Sequence, residues 1–344
     1  MSIEKLKPFL AETYENFPKG RTIGIVVLRT TQSETIFRTE GTGEPMCSEY
    51  VQAGLLRENN HSIPRLVMTK RKQVAPERRK GREFLRSCNL LHTAKDRKET
   101  FTCSLNTNHP CGNCIDCFLY GFAVSRSENI GSQKSRVWTE DAFSVLPATD
   151  LISDRTINAI FETGTMRDEK GDPSNALNTS EYIKPGVHFL DIVTLKDVTA
   201  DELRYVLGNI LLTSRYGAVS SRVGRMENQI LGIFGGIAEL PSSLELVQSL
   251  YDKLVADEKT LEHPFNAEAL IAVTQSTIST WTTKRGISLQ LSASERDAVI
   301  EDVDSHWSLD KQAEFLKRLD KSYESLRKVK TTAKTKDKEP KPED

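Results

Sequence analysis

The stretch CSLNTNHPCGNCIDC, residues 103–117, gathers four of the chain's six cysteines and a histidine into one short segment. Cys103, Cys111, Cys114 and Cys117 form C-x7-C-x2-C-x2-C, a spacing that lets short turns aim several thiolates at one point, about 2.3 Å from a zinc ion. Six cysteines in 344 residues are too few for a disulfide framework, so the clustered thiols read as a metal site in a reducing compartment. His109 could replace one sulfur, and Cys88 with His92 lies near enough in sequence to compete as a ligand. Iron–sulfur motifs place their fourth cysteine differently. Four protein ligands leave zinc no open position for an activated water, so the expected role is structural. Neither H-E-x-x-H nor H-x-E…C-x-x-C accompanies the cluster. The metal would fold an inserted segment too polar to bury a core of its own.

The net charge of −1 conceals an uneven distribution. Between Arg65 and Glu99 there are twelve Lys/Arg against four Asp/Glu, and between Leu240 and Asp310 five against twelve. Such asymmetry suits a groove for a polyanion and would let copies stack, the basic part of one on the acidic part of the next. Two solvated faces remain the plain alternative. No apolar run approaches the roughly 20 residues of a membrane span, and the N-terminus lacks a secretory pattern, so the expectation is a soluble, cytoplasmic protein.

Along the chain, TIGIVVLR (22–29) and ETIFRTEG (34–41) read as a hairpin, followed by a short helix near Met46 to Arg57 and a strand at SIPRLVMT. After the basic and cysteine-rich block, SRVWTEDAFSV restores a strand pattern. Residues 150–182 form a long excursion. GVHFLDIVTL is a strand, and Thr199 with Glu202 forms a capping box opening a helix with apolar Leu203, Val206, Leu207, Ile210 and Leu211. NQILGIFGGI is the next strand. Two strand–helix–strand halves of this kind make a ferredoxin-like sheet. From 242 onward the pattern is helical, with capping boxes at Ser242/Glu245 and Ser292/Glu295, and TTAKTKDKEPKPED (331–344) reads as a disordered tail.

Two segments suit phosphate. Residues 69–86 carry Lys70, Arg71, Lys72, Arg78, Arg79, Lys80, Arg82 and Arg86, punctuated by Pro76 and Gly81; such a set neutralises a nucleic-acid backbone or simply forms a solvated face. Lys134 and Arg136 stand beside Trp138, which could stack on a base or belong to the core. The 214–229 segment joins Gly217, Gly224, Ser220 and Ser221 to Arg215, Arg222 and Arg225, so backbone amides could approach phosphates while arginines donate in pairs. A glycine helix cap with an exposed polar turn would look the same. No nucleotide-binding glycine motif is present.

Together PCGNCIDCFLYGFAVS, QVAPERRKGREFLR, SRVWTEDAFSV and RYGAVSSRVGRMENQILGIF resemble the backbone subunit of type I-D CRISPR effector complexes, a Cas-seven-type member of the RAMP superfamily, from about residue 20 to about 240. The resemblance implies a ferredoxin-like or RRM-like palm (20–64, 135–149 and 183–240), a basic zinc-binding finger insertion (65–134) and a thumb-like excursion (150–182) in an α+β chain; beyond it the residues themselves read as a helical region (241–330) and a tail (331–344). It implies copies polymerising head to tail along CRISPR RNA, which pairs with a target DNA strand, beside other type I-D Cascade subunits. The 215–225 loop, with Tyr216, matches the family's phosphate-holding loop, the 70–82 block its basic insertion, and RTEGTG, starting at Arg38, a loop facing RNA. Met166 and Arg167 fall at the thumb tip. Aromatic RNP motifs are absent, which fits a groove for backbone. The expected function is a non-catalytic RNA scaffold. The alternatives are a metal-dependent nuclease using Glu40, Asp154 or Asp168, as in some RAMP relatives, and a zinc-stabilised protein-interaction module.

Overall fold

A computed structural model describes residues 2–38, 47–96, 99–105, 107, 109–124, 131–158, 162, 164–167, 170–172 and 177–327. Most of the RTEGTG loop, Glu40, Asp168 and the tail at 331–344 lie outside the described residues.

β1 (Thr22–Thr31) is apolar on both faces because it runs through the middle of a sheet. Ile23, Ile25 and Val27 face one hydrophobic cluster, Val26 and Leu28 another. The expected hairpin does not form. Both edges of β1 are taken by distant strands, and among the described residues of the following segment Thr35 makes a bridge with Ile183. In place of the expected helix near 46–57 is β2 (Ser48–Gln52), pairing with β3 (Ser62–Met68). With Ser48, Glu49 and Tyr50 exposed, the segment has no apolar stripe to bury as a helix, and it sits at the sheet's rim.

α1 (Lys70–Ser87) carries the basic run. A ribbon of β4 (Thr93–Asp96) and β5 (Glu99–Thr102), the short α2 (Ile115–Tyr120), and the two-residue strands β6 (Phe122–Ala123) and β7 (Ser132–Gln133) make up the cysteine-rich insertion. The chain returns to the main sheet through β8 (Val137–Thr139) and β9 (Ala142–Ser144). It then leaves as a two-stranded ribbon, β10 (Ile152–Asn158) with β11 (Leu177–Ile183), in register from Ile152↔Ile183 to Asn158↔Leu177.

β12 (His188–Lys196), α3 (Ala200–Leu212) and β13 (Met226–Gly236) form a crossover. Both strands run antiparallel to β1 and flank it, so α3 must pass over β1 to join them. The Thr199/Glu202 capping box is formed, and Leu203, Val206, Leu207 and Ile210 are buried. α4 (Ser243–Ala256), α5 (Ala267–Ile278), β14 (Ile287–Gln290), α6 (Ala293–Trp307) and α7 (Gln312–Ser322) follow, with both expected capping boxes present. The C-terminal region is thus not wholly helical: β14 extends the sheet beyond β13.

The sheet order is β14-β13-β1-β12-β9-β3-β2, with β8 also paired to β12. One face packs under α1, α3, α6 and α7, the other under α4 and α5. Leu246, Leu250 and Leu254 of α4 are almost wholly buried, each contributing about 1.5–3 kcal/mol relative to exposure. Among the described residues no helix is long and apolar enough to cross a membrane.

Candidate nucleic-acid groove and metal centre

The buried face of α1 is unusual in carrying charge: Gln73, Pro76, Glu77, Gly81, Arg82 and Leu85 point inward. Gly81 lets α1 lie against α3, since a Cβ there would come within 2.5 Å of the Tyr205 hydroxyl and the Asn209 side chain. The opposite face presents Lys70, Arg71, Arg79, Glu83 and Arg86 to solvent.

Glu77 explains the inward charge. Its Oε1 pairs with Arg29 Nη1 at 2.8 Å, and Arg29 Nη2 pairs with Asp191 Oδ2 at 2.8 Å, all three side chains being buried. Arg29 also donates to the Tyr216 hydroxyl (3.2 Å) and to Asn228 Oδ1 (3.0 Å), while Tyr216 donates to Glu77 Oε1 (3.2 Å). Burial pushes the Glu77 and Asp191 carboxyls up, and the adjacent guanidinium opposes that push. A buried charge cluster of this kind is costly to break, so β1, α1, β12, β13 and the 213–225 loop hold one mutual placement.

The loop itself is closed by backbone bonds. Tyr216 N donates to Gly224 O (2.9 Å), Ala218 N to Ile36 O (2.8 Å) and Gly224 N to Glu34 O (2.6 Å). Gly224 has φ +81° and a Cβ there would lie 2.0 Å from Tyr216 O, so only glycine fits. With Tyr216 anchored inside, Arg215, Ser220, Ser221, Arg222 and Arg225 are exposed.

α1 and this loop converge on a cleft of about 250 Å³, whose walls include Pro76, Arg79, Lys80 and Glu83 on one side and Leu212, Ser214, Arg215 and Ser220 on the other. A second depression of about 490 Å³, bordered by Gln32, Arg225, Glu227 and Asn228, shares Thr213 and Ser214 with the first. The two basic segments, more than a hundred residues apart in sequence, therefore form one groove.

Other expected contacts lie elsewhere or face inward. Arg82 is buried against Asp116 and the Cys103 carbonyl (2.6 Å), Arg136 is buried in an ion pair with Glu202, and Tyr216 is fully buried. The polar groups of these three expected contacts are thus committed inside the fold. Arg78 is half-buried and forks onto Asp116 (3.0 and 2.8 Å). Lys134 lies 4.8 Å over the Trp138 ring, which Lys196 also approaches at 5.1 Å. Trp138 borders a separate cavity with Glu140, Glu239 and Glu245, sharing no residue with the groove. Lys70 and Arg71 are exposed and Lys72 half-buried at the start of α1. Arg38 is exposed next to Phe37, whose ring approaches the Gly217 position. Met166 and Arg167 are exposed on the excursion, where Arg167 Nη1 donates to Gly171 O at 2.7 Å. An ion pair between Arg155 of β10 and Glu34 ties the ribbon's base to the segment that supports the glycine loop.

Arg29, Glu77, Asp191 and Asn228 escaped the sequence reading. A signal existed: Arg29 and Asp191 are lone charges inside apolar strand runs, VVLRTT and FLDIV.

Cys103, Cys111, Cys114 and Cys117 are all buried, and their sulfurs lie within 4.8 Å of one another. Sγ separations of 3.6 Å (103–117), 3.8 Å (103–114) and 4.0 Å (111–117) match the edge of a tetrahedron with bonds of about 2.3 Å, which is about 3.8 Å. Backbone N–H groups of Cys111 and Asn113 donate to Cys103 Sγ (3.3 Å) and Cys111 Sγ (3.4 Å), as coordinated thiolates require. Hydrogen bonds from the other three thiols, helped by Arg82, hold the Cys103 thiol far below its usual range, and the other three are pushed up. The competing ligands are turned away: His109 stacks on Phe101 at 4.4 Å, His92 Nε2 bonds Asp320 at 2.9 Å, and Cys88 lies by Ser87. The four cysteines fit a metal ion and fill a tetrahedral shell.

A protein-family model described as Csc2 CRISPR matches residues 9–317. No curated protein sequence matches. Among solved structures, the crystal structure of Thermofilum pendens Csc2 aligns over 94% of this chain and 96% of that one, with 19% identity and a TM-score of 0.59, so the two share a fold. A chain of a CRISPR RNA-guided surveillance complex in a pre-nicking state aligns at 10% identity and TM-score 0.46, over 76% of this chain and 89% of its own. Another such complex gives 9% and 0.41, over 75% and 84%.

Proposed function

The chain belongs to the Csc2 CRISPR family, and on that premise we propose that it is a non-catalytic backbone subunit that binds CRISPR RNA in a type I-D Cascade complex. The observation that carries this reading is the convergence of α1 and the 213–225 loop on one basic groove. Arg79, Lys80, Arg215 and Arg225 supply cations along it, and Ser214 and Ser220 supply small polar groups. Such a surface grips sugar-phosphate without reading bases, leaving base pairing to select the target DNA strand.

The strand order β13-β1-β12 with its α3 crossover supports a ferredoxin-like palm. The β10–β11 ribbon corresponds to the thumb, with Met166 and Arg167 beyond it. Zinc is the metal best suited to four thiolates, and a full protein shell assigns it a structural task in the finger. Copies assemble head to tail, basic region against acidic region, with other Cascade subunits at the ends.

Binding of fluorescent single-stranded RNA by the purified protein tests the reading. Arg79→Ala with Arg215→Ala should weaken binding at least tenfold at moderate salt; unchanged affinity would remove the groove from the account. Guide-dependent cleavage fragments at a fixed interval, abolished by Asp154→Ala in an assembled complex, would favour a nuclease instead.

A further inference from the structure

The four-thiol centre and helix α1, which forms one wall of the groove, are joined by a short chain of polar contacts. Asp116, fully buried and next to Cys117, receives Arg78 (Nε to Oδ1 3.0 Å, Nη2 to Oδ2 2.8 Å) and Arg82 (Nη1 to Oδ2 2.9 Å). Arg82 reaches on to the centre itself, donating to the Cys103 carbonyl at 2.6 Å and lying 3.6 Å from its sulfur. Arg78 and Arg82 are one helical turn apart on α1, so a single carboxylate that holds both fixes the rotation of the helix about its axis. Arg79 and Lys80, which line the cleft, lie between them in sequence. The direction in which α1 presents those two cations is therefore set in part from the metal side of the helix, while Lys80 also pairs with Glu83 one turn on.

We propose that Asp116 is a positioning residue that couples the metal in the four-thiol centre to the RNA in the groove, an inference that rests on the RNA-binding reading above. With the cysteines gathered on a metal, the turn at Cys103 and the start of α2 keep fixed positions, and Asp116 and the Cys103 carbonyl present a rigid clamp to α1. Without it, that clamp loses its anchor and Arg79 and Lys80 lose their alignment with Arg215. The Arg29–Glu77–Tyr216 cluster holds α1 to the loop from another side, so the groove loosens and is not abolished. Coupling between two binding equilibria is reciprocal, so RNA in the groove must tighten the hold on the metal by the same factor that the metal tightens the hold on RNA.

The test uses the full chain loaded with zinc and titrated to equilibrium with a chromogenic chelator, with and without saturating single-stranded RNA. RNA binding is followed in the same samples by the anisotropy of a labelled strand. The expected result is a zinc dissociation constant about 5-fold or more lower in the presence of RNA, matched by an equal gain in RNA affinity on adding zinc. In Asp116→Asn the mutual effect should fall to within about 2-fold. Arg78→Gln, which leaves the buried Arg82–Asp116 pair intact and keeps the fold, should reduce it in the same direction. RNA that binds without altering zinc affinity would overturn the coupling, and an effect undiminished in Arg78→Gln would overturn the part given to Asp116; either result leaves the RNA-binding reading standing. Failure of RNA to bind at all would overturn the reading itself, and the coupling with it.

Discussion

Arg78, Arg79 and Arg82 lie within five residues of α1, yet the fold gives them different tasks. Arg79 is exposed at the cleft, Arg78 is half-buried on Asp116, and Arg82 is sealed between Asp116 and Cys103. Their substitutions should separate. Arg79→Ala removes a phosphate contact, so the slope of log affinity for single-stranded RNA against log salt should shrink by about 0.7, with no change in the denaturation midpoint. Arg82→Ala takes from Asp116 one of its two guanidinium partners and from the Cys103 carbonyl its donor, all inside the protein, and urea denaturation should show a loss of about 1–3 kcal/mol. If the two variants behaved alike, the division of labour drawn from their burial would be wrong. Tyr216→Phe removes a hydroxyl that donates to Glu77 and accepts from Arg29; a loss of about 1–3 kcal/mol is expected from the unmet bonds left behind.

At the scale of elements, two devices shape the groove: the cysteine-rich insertion on one side of α1 and the glycine loop on the other. Removing the metal with a chelator should speed amide hydrogen exchange in α2 and the turn at Cys103 first, then in α1, while β1 and β12 at the sheet centre keep their protection. Equal acceleration everywhere would contradict a local anchoring role. Gly224→Ala should disorder the loop, because the new methyl collides with the Tyr216 carbonyl, and should lower RNA affinity without releasing metal. The elements that local chemistry specifies were legible in the sequence. α3, α4 and α6 announce themselves by capping boxes, and the gathering of four thiols by cysteine spacing. What depends on distant partners was not. β1 pairs with strands more than 150 residues away, so the apparent hairpin after it was illusory, and β2 is a strand only because β3 offers it an edge. α1 hid its orientation because its inner face carries Glu77 and Arg82, whose partners Arg29 and Asp116 come from other parts of the chain.

For the whole molecule, a sheet covered on both faces serves as a rigid base from which a basic helix, a glycine loop and a ribbon project. The base is made by packing, and the helix and the glycine loop are held to it by buried charge. The uneven distribution of basic and acidic residues along the chain suits head-to-tail stacking, so light scattering should find assemblies whose mass grows with RNA length and which dissociate at high salt. The central claim is that the groove holds a sugar-phosphate backbone through exposed cations, whatever the bases. Its most direct test is the affinity for two single-stranded RNAs of equal length and unrelated sequence, measured by anisotropy across a salt series. The account predicts equal affinities that fall together, linearly in log salt; an affinity that distinguishes the two sequences, or that ignores salt, would contradict it.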